Sequence, residues 1–211
     1  MSISIQTLCC GQLAENAYLV CPDGRDDCFL IDPGDGLEKI KRAIADSGRR
    51  LTDILLTHAH FDHMLSAPHF KRFSGARLHV HALDVPMLTD ARLNLYQPDW
   101  CYLPLLPVEA DVIYEGDEDI STTICGQRVT VMHTPGHTPG GVCYHFVDDG
   151  VLFSGDTVFA QGYGRVDFPG GNVKQLTQSL KRIVHMPEQI QVYSGHGAPA
   201  DIHTVIRGLI R

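Results

Sequence analysis

Thr57-His58-Ala59-His60-Phe61-Asp62-His63 follows directly on the apolar run Ile54-Leu55-Leu56 and packs four side chains with metal-binding donors into six residues. On extended backbone successive side chains point to opposite sides, so His58, His60 and Asp62, at i, i+2 and i+4, share one side of the strand exit. A turn into helix at Asp62, which Met64-Leu65-Ser66-Ala67 permits, carries His63 back toward a second point nearby. One segment is therefore expected to serve two cations. Three imidazoles and a carboxylate suit Zn, Fe, Mn or Co better than Ca or Mg. The alternative for such a run is a solvated, His-rich loop, and four donors in this register favour the metal site over it.

Composition sets the outer limits. A chain of 211 residues with 44% hydrophobic content fits one domain over residues 1–211 with a substantial core. No apolar run is long enough to span a membrane, and the opening Met1-Ser2-Ile3-Ser4-Ile5-Gln6 lacks the pattern of a signal peptide. The formal charge of −8 disfavours nucleic acid as a partner, since such binding leaves a basic footprint. Seven cysteines without a CxxC pair point to reduced thiols and a cytoplasmic location. Cys28, Cys125 and Cys143 read as core filler, and Cys9-Cys10 as structural.

Around the central stretch, extended runs are expected at Ser2 to Leu8, Ala17 to Cys21 and Cys28 to Ile31, followed by a sharp turn at Asp32-Pro33-Gly34-Asp35-Gly36. Leu37, Ile40, Ala43 and Ile44 recur at helical spacing. Short helices are expected at Pro68 to Phe73 and at Ala82 to Leu88, the second interrupted by Pro86, with a strand at Arg77 to Val80 between them. Asn94 to Val108 carries three prolines and the only Trp and has no clear period, so it reads as a long loop able to cover a site. Strand runs then return at Val112 to Tyr114, Ile120 to Cys125, Arg128 to Met132, Val142 to Val147 and Val151 to Phe153. Helices follow at Val173 to Val184 and Ala200 to Ile210. Two sheets face to face with helices outside, an α/β (α+β) sandwich, satisfy this order.

A local pattern recurs four times: an apolar run ends in Thr, Ser or Gly and delivers a ligand-type residue. Ile54-Leu55-Leu56-Thr57 delivers His58, and Val129-Thr130-Val131-Met132 leads through Thr134-Pro135-Gly136 to His137. Val151-Leu152-Phe153-Ser154-Gly155 delivers Asp156, and Ile190-Gln191-Val192-Tyr193-Ser194-Gly195 delivers His196. Rigid strand ends are where a sandwich can converge side chains from distant sequence on one edge cleft, and Gly136, Gly155 and Gly195 permit tight backbone there. Five His and two Asp make seven donors, too many for one tetrahedral cation but apt for two with a bridging carboxylate. His79-Val80-His81 has the same spacing without a converging partner and reads as structural; His69, His133, His145, His185 and His203 read as surface or strand positions.

These stretches, together with Asn16-Ala17-Tyr18-Leu19-Val20 and Ile31-Asp32-Pro33-Gly34, resemble the metallo-β-lactamase superfamily over nearly the whole chain. The resemblance implies a four-layer αββα sandwich with two divalent transition metal ions at one sheet edge, Zn first, with Fe or Mn as alternatives. It implies His58, His60 and His137 on the first metal, Asp62, His63 and His196 on the second, and Asp156 bridging them. Asp32 matches a carboxylate that would orient the His58 loop from behind the ligands, although a plain turn role in Asp-Pro-Gly is also open.

Within the superfamily, Asp156 stands where typical di-zinc antibiotic-degrading enzymes carry a cysteine, and His60 where flavo-diiron relatives carry a glutamate. Glyoxalase II-like hydrolases, particularly short single-domain ones, are more similar, with Gly164-Arg165-Val166-Asp167-Phe168-Pro169-Gly170 resembling a recurrent loop. Longer members carry Lys-Phe-Tyr where this chain has Arg165-Val166-Asp167, and add a C-terminal helical domain. The activity so implied is hydrolysis of a small-molecule thioester, S-lactoylglutathione or a related acyl-thiol. Two cations about 3.5 to 4 Å apart would share a hydroxide, and water on Zn ionises near pH 7. Asp62 and Asp156 would be the carboxylates at the chemistry, and Arg165, Tyr163 or the Asn94 to Val108 loop would contact substrate. A persulfide dioxygenase resembles the chain in the same Gly164-to-Phe168 loop and would hold one iron with His58, His137 and Asp156. A non-catalytic metal-binding domain is a third reading.

Overall fold

The computed structural model describes residues 2–210. Its strands form two six-stranded sheets. The first sheet contains β1 (Ile3–Cys10), β2 (Glu15–Pro22), β3 (Asp27–Ile31), β4 (Arg50–Leu55), β5 (Arg77–His81) and β6 (Val112–Tyr114), adjacent in that order. The second contains β7 (Ile120–Ile124), β8 (Gln127–His133), β9 (Val142–Phe146), β10 (Val151–Gly155), β11 (Gln191–Ser194) and β12 (Ala200–Asp201), also adjacent in chain order. Pairing is antiparallel from β1 to β3 and parallel from β3 to β6. In the second sheet only β10 and β11 run parallel. Parallel neighbours need crossovers, and these supply α1 (Leu37–Ser47), α2 (Phe61–Met64), α3 (Ala67–Ser74) and α4 (Val173–Val184). The last helix, α5 (Ile202–Leu209), follows β12.

The alternation of side chains along each strand explains the layers. On β2 and β3, Tyr18, Val20, Phe29 and Ile31 face inward to meet Val131, Tyr144, Phe146 and Phe153 of the second sheet. Phe29 and Phe146 stack with ring centroids 5.4 Å apart. The intervening residues Ala17, Leu19, Cys28 and Leu30 face outward into a second core with Ile40 and Ala43 of α1 and Phe70 of α3. Leu152 and Val192 do the same for the other sheet, beneath Ile183 of α4 and Ile202 and Val205 of α5. Both faces of the central strands are thus buried, which is why they read as continuous apolar runs. Each fully buried Leu, Ile or Phe contributes roughly 1.5–3 kcal/mol, so truncating Phe29 would open the inter-sheet core at a cost of about 3–5 kcal/mol. The order is helix, sheet, sheet, helix, as expected.

Local sequence closes the helices. Gly48 ends α1 in the left-handed region at φ 64°. Asn172 accepts from the backbone N–H groups of Lys174 and Gln175 to start α4, and Asp201 accepts from Thr204 to start α5. Several boundaries differ from the sequence expectation. Ala82–Leu88 is a 3-10 segment rather than an α-helix, because Pro86 has no N–H to donate. Ala200 and Asp201 pair with β11 before α5 begins. The long loop contains one 3-10 turn, Pro98–Trp100. His79, His81 and His133 lie on strands, as expected, and are buried. Cys28, Cys125 and Cys143 are buried, and all seven cysteines are free. Among the described residues no helix is long and apolar enough to cross a membrane.

Candidate metal centre

Four strand exits open on the same edge of the sandwich. β4 runs into His58 and His60, and α2 then begins at Phe61, turning Asp62 and His63 toward the cleft. The loop after β8 brings His137, the end of β10 brings Asp156 and the end of β11 brings His196. All seven expected donors meet. His58, His60 and His137 offer ring nitrogens within 4.8 Å of one another, and so do donor atoms of Asp62, His63 and His196. Asp156 lies between the groups, with Oδ1 3.5 Å from His63 Nε2 and Oδ2 3.6 Å from His137 Nε2 and 3.7 Å from His196 Nε2.

Close packing of backbone makes this convergence possible. Asn16 donates from its backbone N–H to the Gly195 carbonyl at 2.8 Å, and its side chain donates to the carbonyls of Ser194 and Gly197. The first sheet thereby grips the loop that carries His196. A Cβ on Gly195 would lie 2.2 Å from Asp156 Oδ1 and 2.5 Å from His63 Cε1, so only glycine fits between these donors. Asp32 holds φ at 48°, a region in which Asp is one of the few tolerated non-glycine residues. That backbone lets its carboxylate accept from the Thr57 N–H at 2.7 Å and the Thr57 hydroxyl at 2.6 Å, and reach His63 Nδ1 at 3.0 Å. Asp32 thus touches both Thr57 and His63.

The ring nitrogens divide by role. His58 Nδ1 meets the Thr57 hydroxyl at 3.1 Å, His63 Nδ1 meets Asp32, His137 Nδ1 meets the Arg165 carbonyl at 2.7 Å and His196 Nδ1 meets the Leu13 carbonyl at 3.2 Å. Metal-ligating histidines are held in this way, one nitrogen tied and the other presented. The Nε2 atoms of His58 and His63 are buried without any hydrogen-bond partner, as is Asp156 Oδ1. His60 Nδ1 instead faces His137 Nε2 at 2.9 Å. Buried polar atoms left unpaired are costly. A cation at each group would satisfy them, so the donor set fits divalent transition metals.

The electrostatics are lopsided along the cleft. Burial, reinforced by the neighbouring imidazoles, holds His58 well below the usual histidine range. Burial and His137 bring His60 down to about 3. At the other end burial also opposes charge on His63, but Asp62, Asp156 and Asp32 outweigh it and raise the imidazole to about 10. Burial likewise opposes charge on Asp62, yet His63 and His196 hold its carboxyl well below the usual range. Neutral imidazoles therefore crowd one end while carboxylates and imidazoles balance each other at the other, so the two groups offer unlike environments to two cations.

Two buried acids at the site lay outside the sequence expectation. Asp84, in the 3-10 segment, accepts from the N–H groups of Ala59 and Gly140 and from the Thr138 hydroxyl, tying the His58 loop to the His137 loop. An acidic residue inside the apolar run Ala82 to Leu88 was the available signal. Glu15 is 1% exposed, has no hydrogen-bond partner on either oxygen and lies 4.0 Å from His63 Nδ1. Burial, with Cys10 and the nearby carboxylates, pushes its carboxyl well above the usual range. Beside the donors a cavity of about 530 Å³ opens, and Tyr163 and Arg165 both line it. The long loop does contribute a wall, through Leu95, Gln97 and Trp100.

A family model described as the metallo-beta-lactamase superfamily matches residues 10–196. A probable metallo-hydrolase of Bacillus subtilis, YqgX, is 34% identical over 92% of this chain and 90% of its own length. A hydroxyacylglutathione hydrolase of Cereibacter sphaeroides is 32% identical over 93% of this chain but 67% of its own length. Among solved structures, BLEG-1, described as a B3 metallo-beta-lactamase, superimposes with a TM-score of 0.89 at 32% identity, covering 97% of each chain. TTHA1623, solved in a di-iron-bound form, does so with a TM-score of 0.83 at 34% identity, covering 98% of each chain.

Proposed function

The chain belongs to the metallo-beta-lactamase superfamily, and on that premise we propose that it is a dinuclear hydrolase of a small-molecule thioester, S-lactoylglutathione or a related acyl-thiol. The observation that carries this is the pair of three-residue donor groups with Asp156 between them, in which the Nε2 atoms of His58 and His63 and Asp156 Oδ1 are buried without a partner. His58, His60 and His137 would hold one cation and Asp62, His63 and His196 the other, with Asp156 available to both. Zn is the first candidate for the pair, and the di-iron form of TTHA1623 supports Fe as an alternative. The similarity to a hydroxyacylglutathione hydrolase supports the thioester. Seven free cysteines fit a reducing, cytoplasmic setting, and residues 1–211 act as one domain without a nucleic-acid partner.

Bound divalent cations supply an ionised water at neutral pH and a Lewis acid for the substrate carbonyl. The chain's own residues position the partners. Asp62, kept ionised by His63 and His196, accepts a hydrogen bond from the attacking water and aims it into the cavity. Attack on the acyl carbon breaks the C–S bond, giving a carboxylate and a thiolate that leaves without needing a proton. Tyr163 and Arg165, which line the cavity, would contact the substrate, and the rigid strand ends keep the donors fixed during the reaction.

Purified protein should carry about two transition metal ions per chain and turn over S-lactoylglutathione and simpler thioesters. His60→Ala should lower that rate by about 10²-fold or more, as does removal of a principal electrostatic catalyst. Unchanged rates in the variant would refute the role of His60. Oxygen uptake with glutathione persulfide, in place of thioester cleavage, would turn the assignment to a persulfide dioxygenase using His58, His137 and Asp156. Hydrolysis of a β-lactam alone would move it to the activity named for BLEG-1.

A further inference from the structure

The cavity beside the donors has walls that differ from its floor. Apart from the donors, Leu13 from the β1–β2 turn, Trp100 from the long loop, and Phe159, Tyr163 and Phe168 from the segment after β10 form half of its lining. Trp100 and Tyr163 are left 53% and 51% exposed at its rim. Large rings half-exposed around a concavity that already contains the reactive groups mark a place for an apolar part of a ligand. The Trp100 wall is fixed by backbone ties. The Tyr102 N–H donates to Asp35 Oδ2 at 2.6 Å, and the Phe61 N–H donates to the Asn94 carbonyl at 2.9 Å. Ligand binding therefore meets a wall already in place, without an ordering cost for that loop.

Charge on the lining is already spoken for. Arg165 is the only Lys or Arg among the lining residues. Its Nε and Nη2 donate to the two carboxylate oxygens of Asp167 at 2.9 and 2.7 Å, and its guanidinium carbon lies 4.3 Å over the Phe168 ring. A bidentate pair of this kind takes up the Nε–Nη2 edge of the guanidinium and offsets its charge. A glutathione arm brings two carboxylates, and each would meet a guanidinium whose charge Asp167 already offsets.

We propose that the cavity selects an uncharged substrate with an aromatic or branched aliphatic arm beside the reacting bond, and that Asp167 discriminates against anionic thiols by occupying Arg165. This deepens the thioester assignment by narrowing it to neutral acyl-thiols in preference to S-lactoylglutathione, and rests on it only for the identity of the bond that is cleaved. Trp100, the single tryptophan of the chain, stands in the cavity wall and reports occupancy without turnover. The metal-loaded protein is titrated with two thioethers that cannot be hydrolysed, S-benzyl-N-acetylcysteamine and S-benzylglutathione, while Trp100 fluorescence is followed. The neutral probe should bind with a Kd at least about tenfold lower. Tyr163→Ala should weaken it roughly tenfold, in line with the burial of one aromatic group. Asp167→Ala should tighten the glutathione probe by about threefold to tenfold and leave the neutral probe within about twofold, since a freed guanidinium pairs with a carboxylate. The proposal is overturned if the neutral probe fails to bind, if S-benzylglutathione binds wild type equally or more tightly, or if Asp167→Ala leaves the glutathione probe unchanged. Neutral preference without any thioester hydrolysis would remove the thioester assignment and leave the pocket's selectivity standing. Thioester hydrolysis with a preference for the glutathione probe would do the reverse.

Discussion

His58-Ala59-His60 and His79-Val80-His81 share one spacing and both are buried, yet they serve different ends. In the second pair the ring nitrogens are satisfied. His79 bonds the Tyr114 hydroxyl at 2.8 Å and Asp53 at 2.9 Å. His81 accepts from the Leu83 N–H and meets the Gly116 carbonyl at 3.0 Å. His133, stacked on His81 with centroids 4.1 Å apart, bonds the Pro139 carbonyl and pairs with Asp117. In the first pair one nitrogen of each ring is tied or faces another histidine, and the Nε2 atoms of both His58 and His60 have no partner at all. Buried imidazoles that are satisfied twice act as cross-links between strands. Buried imidazoles that are satisfied once await something, and His58 and His60 both belong to the donor group completed by His137.

The contrast can be broken most severely at Gly195. Gly195→Ala places a methyl group against Asp156 and His63, and should cut thioesterase activity by about 10²-fold or more, comparable to losing a principal electrostatic catalyst. Circular dichroism close to that of wild type would separate this from global unfolding. Next in size is Asp32→Asn, which weakens the hold on His63 and Thr57. Metal affinity should fall by about 10- to 100-fold, measured by competition with a chromophoric chelator. The smallest effect belongs to the satisfied cluster. Burial pushes the Asp53 carboxyl up, but hydrogen bonds from His79 and Thr52 and the charge of Arg77 outweigh it and hold the group below its ordinary value. A depressed folded value stabilises the protein at every pH above the unfolded value of about 3.9, and that stabilisation is lost as the pH falls through the folded value. Asp53→Asn should therefore unfold at lower urea concentration than wild type at pH 6, with the gap closing below about pH 4, while metal content stays unchanged.

The sequence made the convergence of seven donors legible because each follows an apolar run with a small residue before or beside it. Strand ends of a sandwich can then bring them to one edge. The layer order was legible for a similar reason, since runs buried on both faces differ from those buried on one. Asp84 was hidden because a single acid in an apolar segment interrupted by Pro86 resembles a helix surface, whereas the 3-10 turn aims it at Ala59, Thr138 and Gly140. Glu15 was hidden because its neighbours come from sequence far away. The carbonyls of Arg165 and Leu13, which hold His137 and His196, carry no signature because every residue has one. The same limit applies to His81 and His133, whose partners include the main chain of Gly116 and Pro139. Spacing alone could not separate the two pairs, and the count of satisfied nitrogens does.

Metal stoichiometry is the most direct test of paired cations at the sheet edge, read by plasma emission on wild type, His60→Ala and His81→Gln. The account gives about two ions per chain in wild type and in His81→Gln, and about one or fewer in His60→Ala. A wild-type chain that binds no transition metal, or a His60→Ala chain that still holds two, would contradict it.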